Sequence, residues 1–288
     1  MSDQQLPEAL LKDYQARTFQ LISDLRIRTR EDAVDFVNNR GFVFFWPISG
    51  IKFPSLWVAV SGDRPVADAH DDPGHITWRW KDELLGSDEW YYAKVLRKKS
   101  TIISFLMLPY FYALSENYGS YDEDYLTLYE QGRMTLEAKL VYETLLEKGR
   151  MDTVELRRAT HMTSQGSESR FNRALADLQS DFKIVPVAVT DSGSWRYAFA
   201  YDIVVRHYPW LLEKAALIRE RTAHQRLISE YIHSVGAAQE QDIVKLFKWN
   251  LSIVQISLGE LIQNQEVLKG FCIENRIGEW YVSRNIFG

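Results

Sequence analysis

The spacing of apolar residues between positions 136 and 201 leaves this chain few folds to choose from. Leu136, Leu140, Val141, Leu145 and Leu146 recur at helical intervals and stop at Gly149. Asp152, Thr153, Val154 and Glu155 read as a capping box opening a second short helix through Leu156. A turn over 161–164 leads to a third helix with Phe171, Ala174, Leu175, Leu178 and Phe182 on one face. Strands over 184–189 and 195–201, joined by a turn at 191–193, complete the unit. Three helices and a hairpin, in that order, is a winged helix, whose third helix can lie in a major groove.

The phase of that third helix names its outer face. With 171, 174, 175 and 178 pointing inward, Gln165, Ser169, Asn172 and Arg173 face out, and Arg170 sits at the flank. Gln and Asn can pair with adenine and Arg with guanine. The same face also fits a solvated helix in a module that packs on a neighbour or binds protein.

Residues 222–288 repeat the order. Leu227, Ile228, Tyr231, Ile232 and Val235 mark a first helix, residues 239–247 a second, and Ile253, Ile256, Leu258, Leu261 and Ile262 a third. Strands over 267–273 and 279–283 form its wing. The outer side of this third helix carries Gln255, Glu260, Gln263 and Asn264 and no base, which favours packing or scaffolding over phosphate contact. A weaker copy begins at 28–62, with a short helix before the aromatic strand 42–46. The expected fold is α+β, mostly helical, with tandem winged-helix modules carrying β-hairpin wings. The expected division is an N-terminal region over 1–120, a central winged helix over 121–205, and a connecting helix with a C-terminal winged helix over 206–288.

Charge narrows the function. The net charge of −5 argues against a protein that coats DNA indiscriminately. Its distribution is uneven, with Lys94, Arg97, Lys98 and Lys99 clustered and Arg150, Arg157, Arg158, Arg170, Arg173 and Lys183 in the central module. The single cysteine, Cys272, allows no disulfide within one chain and fits a reducing cytoplasm. The polar N-terminus does not read as a signal peptide. The most apolar stretch, 101–114, contains Pro109 and is too short to span a bilayer, so no membrane association is expected.

Residues 51–100 read as irregular and loop-rich, punctuated by Pro54, Gly62, Pro65, Pro73, Gly74 and Gly86. Two sets within them carry candidate chemistry. His70, Asp71, Asp72 and His75 offer metal ligands, but their spacing matches no metal motif, and a solvated turn capped by Asp-Pro is the plainer reading. Trp78 and Trp80, beside Asp82 and Glu83, suggest stacking walls and a general acid or base for an unstacked nucleobase, with Trp46 as a third wall. A tryptophan pair anchoring the segment to the core is the competing reading. No Ser-His-Asp set, phosphate-cradling glycine loop or dinucleotide fingerprint is present, and no cofactor is expected.

The module order, the aromatic strand after a short helix, and Ile103-Ser104-Phe105-Leu106 followed by Pro109-Tyr110 resemble the AlkZ/YcaQ-like DNA glycosylases. His70-Asp71-Asp72-Pro73, Trp78 to Glu83 and the run 108–117 resemble an AlkZ-related branch of that family, and the resemblance spans about 28–285. It implies tandem winged helices and action on alkylated or crosslinked bases. The family's Gln-x-Gln or Gln-x-Asp motif has no counterpart, since the matching positions are Phe44 and Trp46. No catalytic residue is therefore carried over, and the family's His-Glu pair has no clear equivalent near 101–103. The expected function is binding of duplex DNA, damaged or distorted. A glycosylase using Asp82 or Glu83, and a protein-interaction scaffold, are the alternatives.

Overall fold

The computed structural model describes residues 4–69, 71–193 and 195–288. Helices and three small sheets build a mixed α and β fold.

The first sheet positions everything that follows. Thr29 caps helix Arg30–Arg40 by accepting from Asp32 N–H, and Asp32 reciprocates. Strand Phe42–Phe44 then pairs with Ser100–Ile103, which pairs on its other side with Tyr91–Lys94, all antiparallel. The strand that opens this sheet is buried on both faces. Phe42 and Phe44 point into the largest core, while Val43 and Phe45 point into a second core with Trp80, Trp90 and Tyr92. Burial on two sides explains an unbroken aromatic run where a half-exposed strand would alternate with polar residues.

Residues 51–100 are more ordered than their punctuation suggests. Ser55 caps a helix over Leu56–Ser61, and Asp72 caps a turn that opens a helix over Ile76–Glu83. Prolines and glycines mark the starts and stops here, and buried Trp57 and Trp80 tie both short helices to the core.

The central segment runs as helix Leu136–Lys148, strand Met151–Asp152, helix Thr153–Ala159, helix Glu168–Ser180 and a hairpin of Ile184–Thr190 with Ala198–Ile203. The short strand pairs with the second hairpin strand and closes a three-stranded sheet. Asp152 caps the middle helix by accepting from Val154 and Glu155 N–H. In the first helix the buried positions are Ala138, Val141, Tyr142 and Leu145, while Leu136 and Leu140 are exposed. Residues 195–197 precede the second hairpin strand, because the chain is still turning through Gly193 and Arg196, both at positive φ.

The C-terminal segment repeats the order: helix Glu220–Val235, strand Ala237–Ala238, helices Glu240–Phe247 and Leu251–Gln263, and strands Val267–Ile273 and Trp280–Ser283. Its sheet takes a fourth strand from the other end of the chain. Gln4–Leu6, assigned by sequence to the N-terminal region, runs parallel to Val267–Ile273. The following helix, Glu8–Thr18, packs on Glu220–Val235. At Gly236 (φ 80°) the backbone meets Tyr14 and Leu11 so closely that a Cβ would strike both side chains.

One core joins the three segments. Phe42 of the first sheet touches Phe53, Phe111 and, from the C-terminal segment, Phe247, with ring centroids 5.2, 5.1 and 6.0 Å away. Phe171 and Leu175 of the central segment belong to the same cluster.

Buried phenols give this core a pH signature. Burial pushes Tyr92 up to about 12 and raises Tyr91, Tyr201 and Tyr208 above their usual 10. A raised folded-state pKa stabilises fully below pH 10 and is lost as pH climbs through the folded value. Lys183, lowered by burial to about 8, acts oppositely, because its penalty is relieved between pH 8 and 10.5. The melting temperature is expected to hold or rise from pH 8 to 10 and to fall steeply above 10. A decline beginning below pH 9 contradicts this.

Candidate nucleic-acid interface

Helix Ile76–Glu83 decides what the candidate aromatic residues can do. Residues two apart on a helix diverge, so Trp78 and Trp80 do not form parallel walls. Trp80 is buried in the second core and is not available for stacking. Trp78 stays 43% exposed. It meets half-buried Trp46 at a centroid distance of 6.1 Å and an angle of 53°. The two indoles are too tilted to sandwich a ring, and of the two Trp78 is the more exposed.

Both line a cavity of about 670 Å³ with Val66, His75, Asp82 and Glu83. Asp82 is set in place from behind. Lys81 donates to its Oδ1 at 2.5 Å and to the Tyr197 hydroxyl at 2.8 Å, and Tyr197 donates to the same Oδ1 at 2.9 Å. The Lys81 side chain is 3% exposed, and its Nζ lies 4.6–6.0 Å from the centroids of Phe45, Trp78, Tyr92, Tyr197 and Phe199. Burial lowers its pKa, and the bond to Asp82 opposes that shift. Burial, and then the bond to Asp82, push Tyr197 well above the usual range, so it donates as a neutral phenol. Asp82 Oδ2 has no hydrogen-bond partner among the described residues. Glu83 is engaged: Arg79 donates to its Oε1 at 2.8 Å and Arg30 approaches its Oε2 at 3.7 Å. Among the described residues Asp82 Oδ2 accepts no hydrogen bond, whereas each Glu83 oxygen faces an arginine.

The sequence reading missed Lys81 and Tyr197. Lys81 falls with Thr77, Trp80 and Leu84 at i, i+3, i+4 and i+7 on one buried stripe, but a lysine at such a position reads from sequence as solvent-facing. Tyr197 comes from the central hairpin, and nothing near Asp82 in sequence points to it.

The metal candidates do not assemble. Asp72 Oδ1 accepts from Arg64 at 2.5 Å and from Gly74 N–H at 2.7 Å. The Arg64 bond, with that backbone bond, holds its pKa below the usual carboxylate value. His75 Nε2 donates to the Ala67 carbonyl at 3.0 Å. His70 lies outside the described residues. Among the described residues no group of three His, Cys, Asp or Glu side chains is placed to hold a metal; Asp72 instead caps the turn Pro73–His75, and His75 lines the cavity.

The basic cluster sits at the same end of the first sheet as Trp46. Lys94 is in register with Ser100, whose carbonyl accepts from Phe45 N–H at 2.9 Å, one residue before Trp46. The structure also joins this cluster to helix Glu168–Ser180. Asp177 on that helix pairs with Lys98 and lies 3.9 Å from Arg173. Ser169, Arg170, Asn172 and Arg173 are exposed on it, and Gln165 is exposed in the turn before it. Arg170 is paired with Glu137 at 3.0 Å, and Arg97 donates to the Lys245 carbonyl at 2.8 Å. Lys94 and Lys99 have no acidic partner among the described residues. Burial lowers the Lys94 pKa.

The sequence matches the AlkZ-related family over residues 27–248. The chain belongs to that family. No curated protein matches it. A solved structure of Streptomyces sahachiroi DNA glycosylase AlkZ shares the fold at a TM-score of 0.61 and 12% identity, over 98% of this chain and 71% of that one. In this AlkZ-related chain Phe44 and Trp46, the residues that the sequence resemblance sets against the glycosylase motif, have different surroundings. Phe44 is fully buried in the main core, and Trp46 lines the cavity. No helix among the described residues is long and apolar enough to cross a membrane.

Proposed function

We propose that this chain is a double-stranded-DNA-binding protein of tandem winged helices that recognises damaged or distorted duplex. Helix Glu168–Ser180 enters the major groove, and Lys94, Arg97, Lys98 and Lys99 track phosphates. An unstacked base rests on the open face of Trp78. The observation that carries this reading is the placement of the basic turn and the Trp46–Trp78 cavity at one end of one sheet, with Asp177 linking that turn to Arg173. A duplex held along the basic turn would bring its distorted step to the cavity mouth.

The test is binding to a fluorescent duplex, intact and with a central abasic site, across a salt series. The expected result is affinity that falls steeply with salt and favours the abasic duplex. Arg173→Ala and Lys98→Ala are each expected to reduce the log–log salt slope by about 1. Unchanged affinity in both variants would move the DNA surface elsewhere, and no binding at low salt would leave a protein-interaction scaffold as the better reading.

A second reading, base excision, is favoured by Asp82. Cleaving an N-glycosidic bond builds positive charge on the sugar, and a fixed carboxylate facing that charge stabilises it and orients the attacking water. Lys81 and Tyr197 anchor one oxygen of Asp82, which lines the cavity, and the other accepts no hydrogen bond among the described residues. This reading expects abasic sites to form on alkylated duplex; an absence of product across a panel of alkylated bases rejects it.

A further inference from the structure

The tip of the central hairpin carries an indole with almost no packing. Between strands Ile184–Thr190 and Ala198–Ile203 the chain turns, and Arg196 N–H donates to the Gly193 carbonyl at 3.2 Å. Trp195 lies in that turn and is 90% exposed, whereas the next most exposed tryptophan, Trp78, reaches 43%.

The turn is held from two sides. On one, Asp152 Oδ2 accepts from Ser192 at 2.5 Å and from Thr190 at 3.3 Å, while Asp152 Oδ1 caps helix Thr153–Ala159. On the other, Tyr197 donates to Asp82 Oδ1 at 2.9 Å, and its ring centroid lies 6.2 Å from that of Trp78. Two residues of chain span at most about 7 Å, so the Trp195 backbone starts close to the Trp78 side of the cavity. The indole is thus presented on a fixed turn beside the place where the candidate stacking surface and the candidate carboxylate meet.

The surroundings of Trp195 narrow what can cover it. Its neighbours Asp191, Ser192 and Arg196 are polar, so the tip offers no contiguous apolar patch of the kind a protein partner covers. Asp191 and Arg196 also offset each other in charge, which leaves the ring itself as the contact. A single planar side chain at a rigid tip suits insertion into a stack of bases. Moving a base out of a duplex and onto Trp78 opens a gap in the stack, and that unstacking is costly. Resting on the duplex-binding reading above, we infer that Trp195 is the wedge that fills this gap, stacking on the bases that flank the displaced nucleotide. Selection of distorted duplex then belongs to the hairpin tip, while the groove helix and the basic turn hold duplex of any kind. Tyr197 couples the two events, because the hairpin that carries the wedge also holds Asp82 at the cavity wall.

Fluorescence anisotropy with the full-length protein tests this, using an intact duplex and the same duplex with a central abasic site. Trp195→Ala is expected to weaken binding of the abasic duplex about tenfold, the scale of one base–aromatic stack, and to leave the affinity for the intact duplex and its salt slope unchanged. Trp195→Phe should keep most of the preference for the abasic duplex, since it keeps a ring. The side chain is almost wholly exposed, so neither variant endangers the fold. A wild-type preference that survives Trp195→Ala overturns the inference and leaves the duplex-binding reading in place. Equal weakening on both duplexes also overturns it, because Trp195 is then a general contact. Wild-type protein that binds neither duplex, or both equally, removes the damage-recognition reading and the wedge with it.

Discussion

Truncating Phe42 to alanine is expected to lower the unfolding free energy by about 3–5 kcal/mol, the usual cost of emptying a large aromatic site in a packed core. Phe42 is fully buried, and its ring touches Phe53, Phe111 and Phe247. Two of those neighbours are fixed in other elements of the N-terminal half, and the third belongs to a helix about two hundred residues later. The cavity has little freedom to collapse, because closing it requires the C-terminal segment to shift against the first sheet. The loss should therefore appear in urea as a single transition at a lower midpoint with the slope kept. Two separated transitions would mean that the segments unfold independently and that this contact does not couple them.

The second large effect belongs to Lys81. Lys81→Met keeps most of the apolar stem among the five rings and deletes the ammonium, leaving Asp82 with Tyr197 alone. Removing one partner of a fully buried ion pair costs roughly 3–5 kcal/mol. Asp82 is 27% exposed and can be partly rehydrated, so about 2 kcal/mol is expected. The functional effect separates from the stability effect through the excision rate. Without the ammonium, Asp82 keeps Tyr197 as its one side-chain anchor among the described residues, so under the base-excision reading Lys81→Met should lower the rate and Lys81→Arg should restore most of it. Asp82→Asn should lower the excision rate by about a hundredfold or more, the size of effect seen when a fixed group facing developing charge is removed. Single-turnover abasic-site assays measure all three. An unchanged rate in Lys81→Met would reduce Lys81 to packing.

The helices and hairpins of the central and C-terminal segments were legible because each has an apolar face repeated over several turns and a marked end. Phe171, Ala174, Leu175 and Leu178 are buried at the spacing that named them. Helix Ile76–Glu83 was not legible. It has only two turns, it starts just after Pro73 and Gly74, and its buried face includes a lysine, which pattern reading counts as outside. That error put Trp80 in the site and left Lys81 out of it. Tyr197 was beyond sequence reading altogether, because a hairpin and a helix more than a hundred residues apart are brought together only by the packed fold. Strand Gln4–Leu6 escaped for another reason. Three residues carry no periodicity, and only the partner strand makes them a strand.

That strand has a consequence for how the chain is made. A ribosome releases Gln4–Leu6 more than two hundred residues before Val267–Ile273, yet the two lie side by side in one sheet. Until the later strand emerges, the early one has no hydrogen-bonding partner, and Leu11 and Tyr14 have no surface at Gly236 to cover. The opening segment must wait while the first sheet and the central helices assemble behind it. Its docking then follows the synthesis of Val267–Ile273 and fastens together two segments far apart in the sequence.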